Sequence, residues 1–305
     1  MPLVRYRIRP GAPFRSLPSA SMLWGHIAWA IRELEGASAL QDWIEVHRAA
    51  IENGTSPPLR LSSAFPQGLL PRPILKPLGV EETELRKRLK AVRWVRPELF
   101  AAMLSRGEEA LREALSADGK MSVDDPFLRL PRTRVAMNRS TGTAAEGQLF
   151  EDPVYWVRAS LDVYAEVESS AWADRVFHLL VYVGSTGFGG GASVGLGAFE
   201  VSPPEPAELP RLQGEAEVLL GPALLPPGAR GYWKATLYWG RLGNVYAHAP
   251  VPFKRPYLRV QEGSVLRSPE PKLLDVTPAQ APHSETRVYE YLAPLTLPVP
   301  EGVVE

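Results

Sequence analysis

The side chains able to do chemistry are few, and none falls into a catalytic or metal-binding spacing. Histidines stand at 26, 47, 178, 248 and 283, with no His-Glu-x-x-His run and no His-Asp pair. No Gly-x-Ser-x-Gly elbow presents a nucleophile. Cysteine is absent, which excludes disulfides and thiolate metal sites. The acid pair Asp124-Asp125 sits in a turn and reads as solvated loop. The expectation is a protein without catalytic residues, metal or cofactor. What remains is glycine, serine and arginine, the chemistry of gripping an anion.

The run from Gly184 to Val201 carries seven glycines between Gly184 and Gly197. Such a cluster costs chain entropy and needs a reason. One reason is positive φ at several positions. Another is close approach of the backbone to a ligand whose charge meets bare N–H groups. A flexible surface loop also fits the composition. No Gly-Lys-Ser/Thr follows the glycines, and helix precedes strand, the reverse of a dinucleotide fingerprint. A long, irregular ligand across a sheet fits better than a small nucleotide.

Formal net charge is zero, yet the charges are sorted. Residues 1–32 hold no acid but carry Arg5, Arg7, Arg9, Arg15 and Arg32. Residues 126–145 are again acid-free, with Arg129, Arg132, Arg134 and Arg139. Residues 218–261 are a third such block. Brought together by the fold, these blocks would make one positive groove; left apart, they are solvated surface.

The elements that must position these groups follow from periodicity. Val4–Arg9 alternates as a strand, with Arg5, Arg7 and Arg9 on one face. Three like charges there call for solvent or for an anion across them. Ser19 and Ser21 sit at the N-cap of a helix running to Gly36, a ready phosphate site or ordinary capping. His26 lies near that helix's apolar stripe. A second helix is expected over 39–51, then a strand over 59–64 and a proline-stiffened loop. Segments 82–95 and 97–116 read as a helical insertion. The polar run Leu130–Phe150 has too few apolar residues for its own core, so 127–155 reads as a projecting hairpin arm. A long strand is expected over 154–167, then a helix with Val176, Leu179, Leu180 and Val183 inward, the glycine loop, and a strand over 198–201. Residues 202–210 read as a linker, and strands are expected over 215–220, 231–240, 256–260 and 286–299.

The fold class is therefore α+β. Residues 1–204 form a ferredoxin-like (RRM-like) N-terminal domain, with helical and β-hairpin insertions. Residues 211–305 form a second, degenerate ferredoxin-like domain. Apolar residues make up 45% and charged residues 22%, as in a globular protein without long apolar runs. Met1-Pro-Leu-Val-Arg5 shows no apolar stretch after a basic start, so a cytoplasmic protein with no membrane partner is expected.

Pro18-Ser19, Ser62-Ser-Ala-Phe-Pro66, the arm Asn138-Arg-Ser-Thr-Gly142, Gly189–Gly197 and Glu262-Gly-Ser-Val-Leu266 occur in this order. Together they resemble the RAMP superfamily of CRISPR proteins. Within it they are most similar to subunit four of the type III-A (Csm) effector complex, a relative of the fifth Cas family. Relatives often carry a basic residue inside the glycine loop, where this chain has Ala192. The resemblance implies a non-catalytic RNA-binding subunit that grips the 5′ handle of crRNA. It implies two protein partners, the backbone RAMP subunit and the large Palm-domain polymerase-like subunit. The arm would be a thumb at the handle–guide junction, with Arg132, Arg134, Asn138, Arg139 and Thr141 near the RNA. Ser19, Ser21, Ser62 and Ser63 would line the groove, with Arg7 beside them. Gly189, Gly190, Gly191 and Ser193 would meet the handle backbone. The alternatives are a metal-independent crRNA-processing endoribonuclease with His26 as general acid, and an adaptor that touches no RNA.

Overall fold

In the computed structural model, the described residues are 1–79, 82–117, 125–243, 246–247, 249–280, 287–300 and 302, with backbone alone at 145–148. The first strand, β1, covers Leu3–Pro10. Tyr6 and Ile8 are fully buried on one face, as the alternation requires. Two helices follow, α1 (Ala20–Leu34) and α2 (Ala37–Glu52), separated at Gly36, whose φ of 100° breaks the helix. The chain re-enters the sheet as β2 (Leu59–Leu61) and β3 (Phe65–Pro66).

An insertion comes next: β4 (Leu70–Pro71), α3 (Thr83–Ala91), β5 (Trp94–Val95), α4 (Pro97–Arg106) and α5 (Glu109–Ala117). Two helices were expected here, and three form. Gly107, at φ 72°, divides the second. Pro97 opens α4 at its first turn, where a missing N–H costs nothing.

The arm is a two-stranded hairpin of β6 (Phe127–Met137) and β7 (Ala144–Val157). The expected long strand over 154–167 is two strands. β7 ends at Val157, and β8 (Leu161–Val167) begins after three intervening residues, in a different sheet. Apolar alternation runs through both, so periodicity alone hides the bend at 158–160. Helix α6 (Ser170–Thr186) follows, with the Ser169 hydroxyl accepting from Trp172 N–H as its cap. The glycine loop then leads to β9 (Phe199–Val201) and β10 (Glu205–Pro206). Expected as a free linker, 202–210 is instead pinned, since β10 pairs with β1.

In the central sheet the strands lie in the order β9, β1, β8, β2, every neighbour antiparallel. β10 extends the β9 edge along β1, and β3 extends β2 along β8. One face packs on helices: Ile8, Val163 and Ala165 meet Leu23, Ile27, Leu179 and Leu180 in a single core. Each fully buried Val, Leu or Ile side chain here contributes about 1.5–3 kcal/mol of transfer free energy.

The other face is also covered. Tyr164 joins a second core with Phe65, Phe100, Leu104, Val218 and Leu297, drawn from the insertion and from the C-terminal strands. Those strands are β11 (Ala216–Leu219), β12 (Ala223–Leu224), β13 (Gly231–Tyr232), β14 (Ala235–Tyr238), β15 (Tyr257–Val260), β16 (Val265–Arg267), β17 (Lys272–Asp275), β18 (Tyr289–Leu292) and β19 (Thr296–Val299). They form a sheet β13–β16–β11–β19, a sheet β12–β15–β14 and a pair β17–β18. Among the described residues no α-helix follows Thr186, so the described part of 211–305 shows neither helix of a ferredoxin-like unit. Prolines and glycines recur through this part of the sequence and disfavour helix.

On this second face Arg5 and Arg7 are partly covered and are answered by the sheet itself, and Arg9 pairs at the exposed end of the strand. Arg7 Nε donates to Asp162 Oδ1 at 3.0 Å, and Asp162 is fully buried. Gly68 N–H donates to the other Asp162 oxygen at 3.0 Å. Arg5 pairs with Glu205 at 2.5 Å and Arg9 with Glu200 at 3.7 Å. Asp162→Asn is expected to lower unfolding stability by about 2–3 kcal/mol, since hydrogen bonds to a charged group are worth ~1.5–3 kcal/mol. Urea denaturation measures this.

Candidate nucleic-acid interface

The glycine loop is folded on itself rather than loose. Gly187, Gly189, Gly191, Gly195 and Gly197 all have positive φ. Gly197 is the most constrained, because a Cβ there would lie 2.0 Å from Phe188 O. Its N–H donates to Pro13 O, and its carbonyl accepts from Phe188 N–H. Gly189 N–H donates to His26 Nε2 at 3.0 Å, and the His26 ring packs on Phe188 with centroids 4.5 Å apart. The loop is thus fastened to α1 and to the β1–α1 turn. Left over are the N–H groups of Gly190, Gly191 and Ser193, which donate to no group among the described residues. Successive unpaired amides flanking left-handed residues form a concave anion site.

Next to this lip stands Arg15. Its Cδ would lie 2.9 Å from a Cβ on Gly190, so the side chain runs close along the loop backbone. Arg15 Nη2 pairs with Asp152 Oδ1 at 2.9 Å. Asp152 comes from β7 and is buried. Its other oxygen takes Arg134 Nη1 from β6 at 3.4 Å. The Arg134 guanidinium also lies over the Phe150 ring, 5.8 Å from its centroid. The arm is anchored just behind this point, where Phe14 and Tyr155 exchange backbone hydrogen bonds of 2.9 and 2.7 Å. One buried carboxylate thus holds two half-exposed arginines beside the free loop amides. Arg132 lies across the ladder from Asp152, adding a third cation. The balance is positive, which suits a polyanion.

Asn138, Arg139 and Thr141 occupy the exposed far turn of the arm. Asn138 Oδ1 accepts from Ser140 N–H at 2.9 Å, an Asx turn that closes the hairpin. Six residues along a strand put this turn about 20 Å from Asp152. Val135, Met137 and Leu149 are exposed near it, an apolar end on a polar arm.

Other anticipated residues lie elsewhere. Arg7, partly exposed, is committed to Asp162 within the central sheet. All four serines are buried in the seam between α1, β2 and the C-terminal strands. Ser63 Oγ accepts from Ala20 N–H at 3.0 Å, capping α1 from outside, and donates to Glu262. Ser62 Oγ accepts from Tyr164 N–H at 2.9 Å. The Ser19 and Ser21 hydroxyls are enclosed without a partner. The helix end anticipated as a phosphate site is therefore occupied by Ser63 and Glu262. Gly189 has spent its N–H on His26, leaving its neighbours as the donors. No local sequence pattern pairs Arg15 with Asp152. Arg15 was visible in the acid-free block, but nothing local pointed to a contact 137 residues away.

His26 is held neutral. Burial, then the nearby Lys254 charge, pushes it down to about 4. His47 is likewise lowered to about 4 by burial, against the hydrogen bond it makes to Trp43 O. Among the described residues no group of three His, Asp or Glu can hold a metal. Among them also, no helix is long and apolar enough to cross a membrane. His248, His283 and Asp124 lie outside the described residues.

No family model matches the chain. A Thermococcus onnurineus (strain NA1) protein, CRISPR system Cms protein Csm4, is 24% identical over 212 residues, covering 65% of this chain and 67% of that protein. A chain in the crystal structure of a Csm1–Csm4 cassette in complex with pppApA superposes with a TM-score of 0.63. It is 20% identical and covers 99% of this chain and 100% of that one. The chain is similar to Csm4. A chain of the Csm3–Csm4 subcomplex in the type III-A CRISPR-Cas interference complex is 15% identical, with a TM-score of 0.61 and coverage of 97% and 99%. The Csm4-like fold thus runs through the whole chain, C-terminal strands included.

Both histidines have folded values below the unfolded one of about 6.5, so the unfolded chain takes up protons first. Stability is full above about pH 6.5 and falls as pH drops toward 4, by at most about 1.4 kcal/mol per pH unit for each histidine. His26→Gln keeps an acceptor for Gly189 N–H but does not titrate. Urea midpoints across that window are expected to fall less steeply for this variant than for the wild type.

Proposed function

We propose that this chain is a non-catalytic, RNA-binding subunit of a type III-A CRISPR effector complex that holds the 5′ handle of crRNA. The likeness to Csm4 supports the setting. The single observation carrying the RNA reading is the Arg15–Asp152–Arg134 cluster beside the free amides of Gly190, Gly191 and Ser193. It joins the arm and the glycine loop into one positive, backbone-lined surface. Phosphates would lie on the amides and arginines, and bases would be met by the arm. Ala192 brings no charge to this loop; in this reading Arg15 supplies it from the neighbouring turn.

The antiparallel order β9–β1–β8–β2 is that of a split βαβ unit, which supports a ferredoxin-like reading of 1–204. Residues 211–305 would be its companion domain. A backbone RAMP subunit and a large Palm-domain subunit would be the protein partners, as relatives are seen with Csm3 and Csm1. The endoribonuclease reading is weaker. His26 Nε2 accepts from Gly189 N–H, and the low pKa leaves no proton to give near neutral pH.

Two measurements test this. Fluorescence anisotropy with handle RNA over a salt series should show Arg15→Ala and Arg134→Ala each flattening the slope of log Kd against log salt by about 0.7, the single-strand value per phosphate contact. Unchanged slopes count against the cluster as the RNA site. Incubation with repeat RNA in EDTA should leave the RNA intact; cleavage that His26→Ala abolishes would replace the scaffold reading by the nuclease.

A further inference from the structure

The sheet β12–β15–β14 ends at β14, which pairs only with β15 among the described residues and leaves its other edge bare. Leu237 and Leu258 stand directly opposite each other in the ladder, 69% and 46% exposed. Trp239, two residues on from Leu237, is 63% exposed. The reverse face of the hairpin is turned inward. There Arg259 lies 3.8 Å over the Tyr238 ring, and Tyr238 packs against Tyr257. An unprotected edge with apolar side chains outward is what natural proteins avoid unless something covers it.

We propose that this edge is a docking surface for a protein partner in the effector complex, one that presents an apolar strand flanked by Asp or Glu. The inference rests on the functional reading above. The partner's charge follows from the rim. Lys234 and Arg241, just beyond the two ends of β14, are exposed; neither makes an ion pair among the described residues, and the Arg241 guanidinium lies 5.4 Å from the centroid of the Phe253 ring. No acid occurs anywhere in 218–261. A basic rim around an apolar centre selects an acidic rim around an apolar centre. RNA fits this surface less well. The leucine pair offers no flat ring for a base, and the Trp239 ring already packs on Phe253, centroids 4.8 Å apart. A free strand edge adds main-chain hydrogen bonds to an incoming strand.

The test uses the full chain with purified Csm1-like and Csm3-like subunits from the same effector, and handle RNA. Two variants are made: Leu237→Glu with Leu258→Glu, and Lys234→Glu with Arg241→Glu. All substituted side chains are exposed, and melting curves check that folding is kept. Affinity for one of the two subunits should fall about 30-fold in the first variant and about 10-fold in the second. RNA affinity should stay within about twofold. Wild-type affinity for both subunits in both variants overturns the docking surface while leaving the RNA reading intact. Loss of RNA binding alone assigns the patch to RNA instead. A wild-type dimer that the leucine variant turns to monomer assigns it to a second copy. A wild-type chain that binds neither RNA nor either subunit overturns the functional reading, and the docking surface with it.

Discussion

A sheet buried on both faces has no room for an unanswered charge. That constraint shapes the centre of this protein. β1 brings Arg5 and Arg7 to a face that the insertion and the C-terminal strands partly cover, while Arg9, near the end of the strand, stays exposed. Each arginine meets an acid from a neighbouring strand, at Asp162, Glu205 or Glu200. Arg60 on β2 meets Glu166 on β8 and donates to the carbonyl of Pro294. The ionic ladder therefore also fastens the C-terminal half to the sheet. Ser63 and Glu262 do the same at the start of α1. Burying such pairs gives little net stability, but removing one partner is costly, so they fix register and docking more than they add free energy.

Charge left over for a ligand must then sit at the margin of the sheet. It does so where the glycine loop, the β1–α1 turn and the arm meet. Asp152 is the pivot. Its position below the surface lets it orient Arg15 and Arg134 without cancelling both. Two cations held by one anion keep a net positive charge in a fixed geometry, which lowers the cost of ordering long side chains on binding. The free amides beside them add donors that need no side chain. His26 serves this arrangement as a neutral acceptor that fixes where the loop turns.

The arm divides into two regimes. Its root is tied to Phe14 by paired backbone bonds and to Arg15 through Asp152. Among the described residues its far end is held by its own ladder and the Asn138 turn, with Val135, Met137 and Leu149 exposed. A two-stranded ribbon is marginal alone, so the end depends on its root and on whatever it meets. A firm root beside the loop with a lightly held, apolar tip suits a structure that reaches across a bound strand.

Local pattern in the sequence determined most of the elements. Strand alternation marked Leu3–Pro10, helical stripes marked Ala20–Leu34 and Ser170–Thr186, and low apolar content marked the arm. The glycine cluster was correctly placed between a helix and a strand. These are features of neighbours in sequence, set by periods of two and 3.6. The partners of the polar side chains were decided only in three dimensions. Arg7 finds Asp162 across 155 residues, Ser63 finds Glu262 across 199, and His26 finds Gly189 across 163. An acid-free segment says that a charge is available; it does not say whether an acid from another strand will claim it. Arg7 and Arg15 look alike in the sequence, and the fold sets them apart: one pairs with Asp162 inside the central sheet, the other shares Asp152 with Arg134 beside the glycine loop.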